Sequence, residues 1–256
     1  MASVNKAIIP AAGMGKRMHP LSSYVPKPML PLGRKPVLHH IVEEIRAAGI
    51  EEILILARTD HKAIRDYFQD KPNITIGTDD SAGGPGKAIL KGEQFAGGES
   101  FLVVFSDAPL GGEEPGQVIR EMKKVFQQHS TDAVLSIYPV PEEEAGSRGI
   151  VRVDEMKKGE GLYRVTDIIE KPESISISKP KASACRYLFT PKIFDALKAA
   201  EKDEDGELQL TAGINELLKE GHQVLGISLP EGITRHDTGN FQGYFRALNS
   251  FTPNGN

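Results

Sequence analysis

The chain has 256 residues, 39% hydrophobic and 26% charged, enough to bury the core of one large α/β domain. A formal charge of −4 with the signs interspersed excludes a general nucleic-acid binder, and a single cysteine, Cys185, excludes an internal disulfide or a Cys-rich zinc site. No apolar run approaches a membrane span and MASVNKAIIP lacks the apolar core of a secretory signal, so a cytoplasmic protein is expected.

The first predicted element is a strand over Lys6 to Ala11, and the turn after it is the most informative part of the chain. Ile8 and Ile9 lead through Pro10, Ala11 and Ala12 to Gly13 and Gly15, where glycine permits positive φ and lets a phosphate approach backbone N–H groups. Arg17 adds a planar fork of donors and Lys27 a point charge, the latter restrained between Pro26 and Pro28. This set suits a nucleoside triphosphate. A P-loop is excluded, because Pro10 stands five positions before Gly15 and Lys16 is followed by Arg17 rather than a hydroxyl residue. A dinucleotide fingerprint is excluded by Met18 in place of its third glycine, which also disfavours an NAD-dependent dehydrogenase. Lys16 either adds a phosphate contact or points to solvent.

Further along, Pro36 to Ala48 carries apolar residues at Val37, Leu38, Ile41, Val42 and Ile45 with Gly49 at its end, the pattern of an amphipathic helix. Its charged residues Glu43, Glu44 and Arg46 read as a solvated face. Strands are predicted at Ile53 to Ala57, Ile74 to Ile76, Phe101 to Phe105 and Ala133 to Tyr138, alternating with helical patterns in the rhythm of a doubly wound sheet. Asp107 follows FLVVF at its C-terminal end, where open α/β sheets place ligands and a carboxylate can bind a hard cation.

After Pro139 the strands shorten: Ile150 to Val153 and Leu162 to Ile168, joined by the polar DEMKKGEG, predict an antiparallel hairpin. A strand near Ser183 to Phe189, helices near Pro191 to Ala200 and Leu210 to Lys219, and a last helix from Asn240 close the chain, with the acidic EKDEDGE as an exposed loop. One domain over 1–256 is expected, its pattern changing between a half at about 1–138 and a half at about 139–256.

GxGxR followed by PKxMLP resembles the signature of the sugar-1-phosphate nucleotidyltransferases, above all their bacterial UTP–glucose-1-phosphate uridylyltransferase branch. Further matches come in order: AGI at Ala48, GPGKAIL at Gly84, FSDAPL at Phe105, RGIV at Arg148, IEKP at Ile169, RYLFTPKIF at Arg186, ELQLTAGI at Glu207 and HDTGNFQGY at His236. Together they cover nearly the whole chain. The resemblance implies a Rossmann-like, doubly wound, mostly parallel mixed sheet with a small antiparallel sugar-side subregion, a Mg2+ cofactor and a homo-oligomer. The implied reaction is attack of a sugar-1-phosphate oxygen on the α-phosphorus of an NTP, with pyrophosphate leaving in line. A phosphate monoester has its second pKa near about 6, so the nucleophile is already ionised at neutral pH and no general base is needed. Catalysis then reduces to neutralising repulsion and holding the anions in line.

Carried over by motif, about 1–138 would bind the nucleotide and about 139–256 the sugar phosphate; Arg17 would hold the leaving β- and γ-phosphates and Lys27 the α-phosphate or its bridge. Ala11, Ala12, Gly13, Gly15, Lys16, Asp79, Gly84 and Asp107 would line the nucleotide, and Asp107 and Asp237 would hold the metal. Gly149, Glu170 and Lys171 would meet the sugar phosphate. Glu170 and Lys171 are adjacent, and neighbours on a strand point to opposite faces, so both reach one ligand only where the strand ends, as Pro172 suggests.

Two positions depart from the family pattern. Asp79 stands where relatives carry a Gln that reads a pyrimidine, unless the register slips to Asp80; Asp79 could accept from uracil N3–H, or face solvent and leave the base to backbone near Ala11, Ala12 and Gly84. Cys185 replaces a glycine before RYxL. UTP with glucose-1-phosphate is the first expectation; another nucleotide or sugar, or a non-catalytic regulatory protein, are the alternatives.

Overall fold

The computed structural model describes residues 4–174 and 177–251, which group into two compact units. One comprises residues 5–80, 104–117 and 231–251; the other comprises Val4, residues 81–103, 118–174 and 177–230. The chain therefore passes between them several times, a different division from sequence halves meeting at 138 and 139. No helix among the described residues is long and apolar enough to cross a membrane.

In the first unit the strands Lys6–Pro10, Glu52–Ala57 and Ile74–Thr78 pair in parallel, with Glu52–Ala57 in the middle. Every residue from Ile53 to Ala57 is buried, the continuous apolar run expected of a parallel strand covered on both faces. The helix Val37–Ala47 buries the predicted stripe of Val37, Leu38, Ile41, Val42 and Ile45, and the chain turns away at Gly49, whose φ of 73° suits glycine. The expected solvated face is only partly so. Glu43 is exposed and pairs with Lys35 and His39, but Glu44 is buried, because the loop at Gly116 packs so closely on the end of this helix that a Cβ there would lie 2.8 Å from the Glu44 carbonyl oxygen.

In the second unit the strand order is Phe101–Val104, Lys181–Phe189, Ala133–Pro139, Val224–Ser228, Leu162–Glu170, Gly149–Glu155. Val224–Ser228 runs parallel to Ala133–Pro139, whereas Lys181–Phe189 runs antiparallel to it, so this part of the sheet is mixed. The predicted hairpin is present: Leu162–Glu170 pairs antiparallel with Gly149–Glu155, aligning Glu170 with Gly149. The helices Lys192–Ala199 and Leu210–Lys219 pack closely, since a Cβ on Gly213 would come 2.8 Å from Leu197 Cγ. Helices Lys62–Phe68, Gly84–Leu90 and Gln117–His129 and strand Val224–Ser228 lie outside the elements assigned from the sequence.

Candidate active site

The strand Lys6–Pro10 delivers its chain directly into the glycine turn. Ala11 is fully buried and its N–H donates to the Leu56 carbonyl at 2.8 Å, which fixes the start of the turn to the neighbouring strand. Gly15 adopts φ 64°, and a Cβ there would sit 3.1 Å from Ser22 Cβ and 3.5 Å from Lys27 Cβ, so glycine is required both by conformation and by space. Gly13 is exposed and a Cβ on it would meet nothing within 4 Å, leaving its backbone accessible to a ligand. Lys16 and Arg17 occupy a single 3-10 turn, Lys16–Met18, which is anchored by the buried Met18; both basic residues are exposed. Lys27 opens another 3-10 turn between its two prolines.

Arg17 and Lys27, but not Lys16, are brought to two carboxylates. Lys27 Nζ lies 2.5 Å from Asp107 Oδ2, both side chains being largely buried. Asp237 Oδ1 accepts the Gly239 N–H at 2.9 Å, and Asp237 Oδ2 lies 3.6 Å from the Arg235 guanidinium. Gly239 is the floor of the cluster: a Cβ there would lie 3.0 Å from Asp237 Oδ1, 3.1 Å from Arg17 Nη2 and 3.2 Å from Asp107 Oδ2. Arg17, Lys27, Asp107 and Asp237, scattered from position 17 to 237, are thus one site. Burial alone pushes the Asp107 carboxyl upward, but Lys27, then Arg235 and Arg17, bring it below its ordinary range, so it is a carboxylate.

Neither aspartate is spent on capping. The Asp107 backbone carbonyl, not its side chain, receives the N–H and Oγ1 of Thr238, each at 2.9 Å. The last helix, Phe241–Phe251, is capped by Asn240, whose Oδ1 accepts the Gly243 N–H at 2.8 Å. Among the described residues no group of three or more His, Cys, Asp or Glu could hold a metal. A pair of hard-oxygen ligands is what Mg2+ uses when phosphate and water complete its octahedron. Arg235, Thr238 and Gly239 were missed by the sequence reading. The one signal for them was their position beside Asp237 in RHDTG.

The base-reading candidates resolve differently. Asp79 follows the strand Ile74–Thr78, is only 3% exposed and donates its N–H to the Ala57 carbonyl at 2.9 Å, so it does not face solvent. Asp80 uses both oxygens on Thr59, accepting its N–H at 2.8 Å and its Oγ1 at 2.6 Å, which marks it as a turn-stabilising residue. In the other unit Gly84 has φ 83°, and a Cβ there would come 2.7 Å from the Leu208 carbonyl oxygen. Packing on Leu208 explains this glycine; the Gly83 carbonyl accepts the Leu208 N–H and the Leu208 carbonyl accepts the Gly86 N–H, each at 2.8 Å.

The sugar-side residues also come together. Glu170 Oε2 accepts from Thr211 Oγ1 at 3.4 Å, and a Cβ on Gly149 would lie 3.2 Å from that same oxygen and 3.4 Å from Thr211 Cγ2. The strand ends at Glu170, and Lys171 takes φ 42°, the left-handed turn that lets two adjacent charges share one side; its Nζ lies 3.8 Å from Glu170 Oε1. Burial raises the Glu170 carboxyl despite the opposing Lys171 and Thr211. Cys185 sits in the bulge between Ser183 and Tyr187 with φ 65°, a left-handed conformation that glycine adopts without strain.

The chain is similar to known proteins along nearly its whole length. The family model described as nucleotidyl transferase matches residues 6–253. A Bacillus subtilis (strain 168) protein provisionally named a UTP–glucose-1-phosphate uridylyltransferase is 36% identical, over 96% of each chain. The UTP–glucose-1-phosphate uridylyltransferase of Mycoplasma pneumoniae is 32% identical, over 96% of this chain and 92% of its own. A crystal structure of a UDP-glucose pyrophosphorylase complexed with UDP-glucose superposes with a TM-score of 0.89 and 27% identity, covering 97% of this chain and 98% of that one. With the α/β fold, the mixed sheet and the full-length match in hand, the chain belongs to the nucleotidyl transferase family.

Proposed function

We propose that this enzyme transfers the uridylyl group of UTP to glucose-1-phosphate, giving UDP-glucose and pyrophosphate. The observation that carries the reading is the cluster around Gly239, in which Arg17, Asp107 and Asp237 approach one point while Lys27 sits on Asp107. Such a site has no nucleophile activated by a base and needs none, because the attacking phosphate is already ionised. Its chemistry is charge compensation. Arg17, exposed on a short turn, takes the β- and γ-phosphates and the charge that grows on them. Lys27 leaves Asp107 for the α-phosphate, keeping its own charge compensated. Asp107 and Asp237 hold Mg2+, which when bound offsets the repulsion between the two anionic substrates.

On the sugar side, Glu170 accepts hydroxyl hydrogen bonds, Lys171 meets the sugar phosphate, and Gly149 keeps the backbone low beneath them. Asp79 accepts the uracil N3–H, a role supported by its burial and by its backbone bond to Ala57, at the end of the strand that pairs with Lys6–Pro10. The names of the relatives support UTP and glucose-1-phosphate as the substrate pair.

The test is pyrophosphate release with Mg2+ across UTP, dTTP, CTP, GTP and ATP against glucose-, galactose-, mannose- and N-acetylglucosamine-1-phosphates. A maximum at UTP with glucose-1-phosphate is expected. A maximum elsewhere would reassign the substrates, and silence across the grid with UTP still bound would remove the catalytic reading.

A further inference from the structure

Three cations surround the two carboxylates, and they are not equivalent. Arg17 is exposed on a single turn and Lys27 is a flexible stem ending in a point charge; both can follow a phosphate. Arg235 cannot. Its side chain is 9% exposed, and its backbone belongs to the short strand Thr234–Arg235, which pairs antiparallel with Leu110–Gly111 and aligns Arg235 with Leu110, three positions after Asp107. The next residue, His236, donates its N–H to the Pro109 carbonyl at 3.0 Å, tying both sides of the pair together. The guanidinium lies 3.6 Å from Asp237 Oδ2, and the pairing with Leu110 holds its strand beside the segment that carries Asp107.

We propose that Arg235 is a positioning residue, a fixed counter-ion that holds the Asp107 and Asp237 carboxylates together and makes the pair a weak site for a divalent ion until nucleotide arrives. The inference rests on Asp107 and Asp237 being the metal-holding pair. Two carboxylates brought to one point repel each other, and a buried guanidinium is the one cation that stays charged and in place when Lys27 and Arg17 turn to the phosphates. The same fixed charge opposes a free divalent ion. Asp107 and Asp237 would therefore take up a divalent ion only together with a triphosphate, whose oxygens would supply the missing ligands and outweigh that opposition. A merely structural arginine predicts the reverse sign, because its loss would loosen the pair and weaken metal binding.

Titration with Mn2+, read as loss of the free-ion EPR signal beyond that caused by the same UTP concentration without protein, separates the two. Wild type binds Mn2+ weakly alone and tightly with UTP. Arg235→Gln binds Mn2+ without UTP at least about tenfold more tightly, while its Mg2+-dependent turnover falls about tenfold or more. Arg235→Lys, retaining the charge, keeps the wild-type Mn2+ affinity. If Arg235→Gln does not fold, Arg235→Met, apolar and of similar length, is titrated instead. Unchanged or weaker Mn2+ binding in the neutral variant overturns the role of Arg235. No Mn2+ binding by wild type even with UTP overturns the metal pair itself, and the inference with it.

Discussion

Gly239→Ala adds one methyl at the centre of the charged cluster. Its backbone is outside the left-handed region, so alanine fits the main chain, and the consequence comes from space alone. The new Cβ would stand 3.0, 3.1 and 3.2 Å from Asp237 Oδ1, Arg17 Nη2 and Asp107 Oδ2, so each of the three groups must retreat by a few tenths of an ångström. Overpacking typically costs ~1–3 kcal/mol. Because Arg17 is exposed and can swing away, the low end applies, about 1 kcal/mol, or about 2–4 °C in the melting midpoint. Catalysis is more sensitive, since misplacing reacting groups by about 1 Å costs ~100-fold; three smaller shifts at once are expected to lower kcat/KM by about 10- to 100-fold. Steady-state pyrophosphate release and a thermal melt on one preparation read both quantities. A kcat/KM within about twofold of wild type would refute the convergence on Gly239. A fall in midpoint above about 10 °C would instead show that the glycine is structural.

Asp107→Asn changes charge and little volume; turnover should vanish with the fold intact by circular dichroism, and near-normal activity would sink the metal assignment. Lys171→Ala should raise the KM for glucose-1-phosphate more than that for UTP, and the opposite split would overturn its role. Glu170 has its carboxyl raised above the ordinary 4.5, so the stability it contributes is full below that value and is lost as pH climbs through the raised one. Glu170→Gln should therefore match wild type in urea melts at pH 4 and exceed it at pH 8; equal differences at both pH values would remove the burial argument. Cys185→Gly should change stability by less than about 1 kcal/mol, relief of the left-handed conformation offsetting the lost side chain; a loss above about 2 kcal/mol would mean the strain is absent.

At two long apolar patterns the sequence reading and the structure agree. The stripe from Val37 to Ile45 and the run from Ile53 to Ala57 are legible because burial selects residue type at each position. The helix Gln117–His129 shows Val118, Ile119, Met122 and Phe126 on one buried side, and the apolar Val224 to Ile227 forms a strand; both signals were present and short or locally diluted by charge. Tertiary facts were less accessible. Nothing local distinguishes Glu44, buried beneath the Gly116 loop, from exposed Glu43 one residue away. Arg235 reads as an ordinary basic residue until its strand brings it against Asp237. Cys185 could be flagged from the family pattern, but its reason is a φ angle, which composition does not encode.

The chain's single thiol is a built-in probe. Cys185 is 9% exposed inside the bulged strand Lys181–Phe189, with its N–H bonded to Ser183 Oγ at 3.0 Å. A thiol reagent can reach it only when that strand opens, so the labelling rate of unmodified protein times the opening of the mixed sheet without any engineered reporter. Added glucose-1-phosphate or UDP-glucose, if bound at Gly149 and Glu170, should slow that labelling, because the strand Gly149–Glu155 pairs with both others, Gly149 with Glu170 and Ile150 with Ala182. Sugar-side occupancy thereby becomes measurable as chemical protection, independently of turnover.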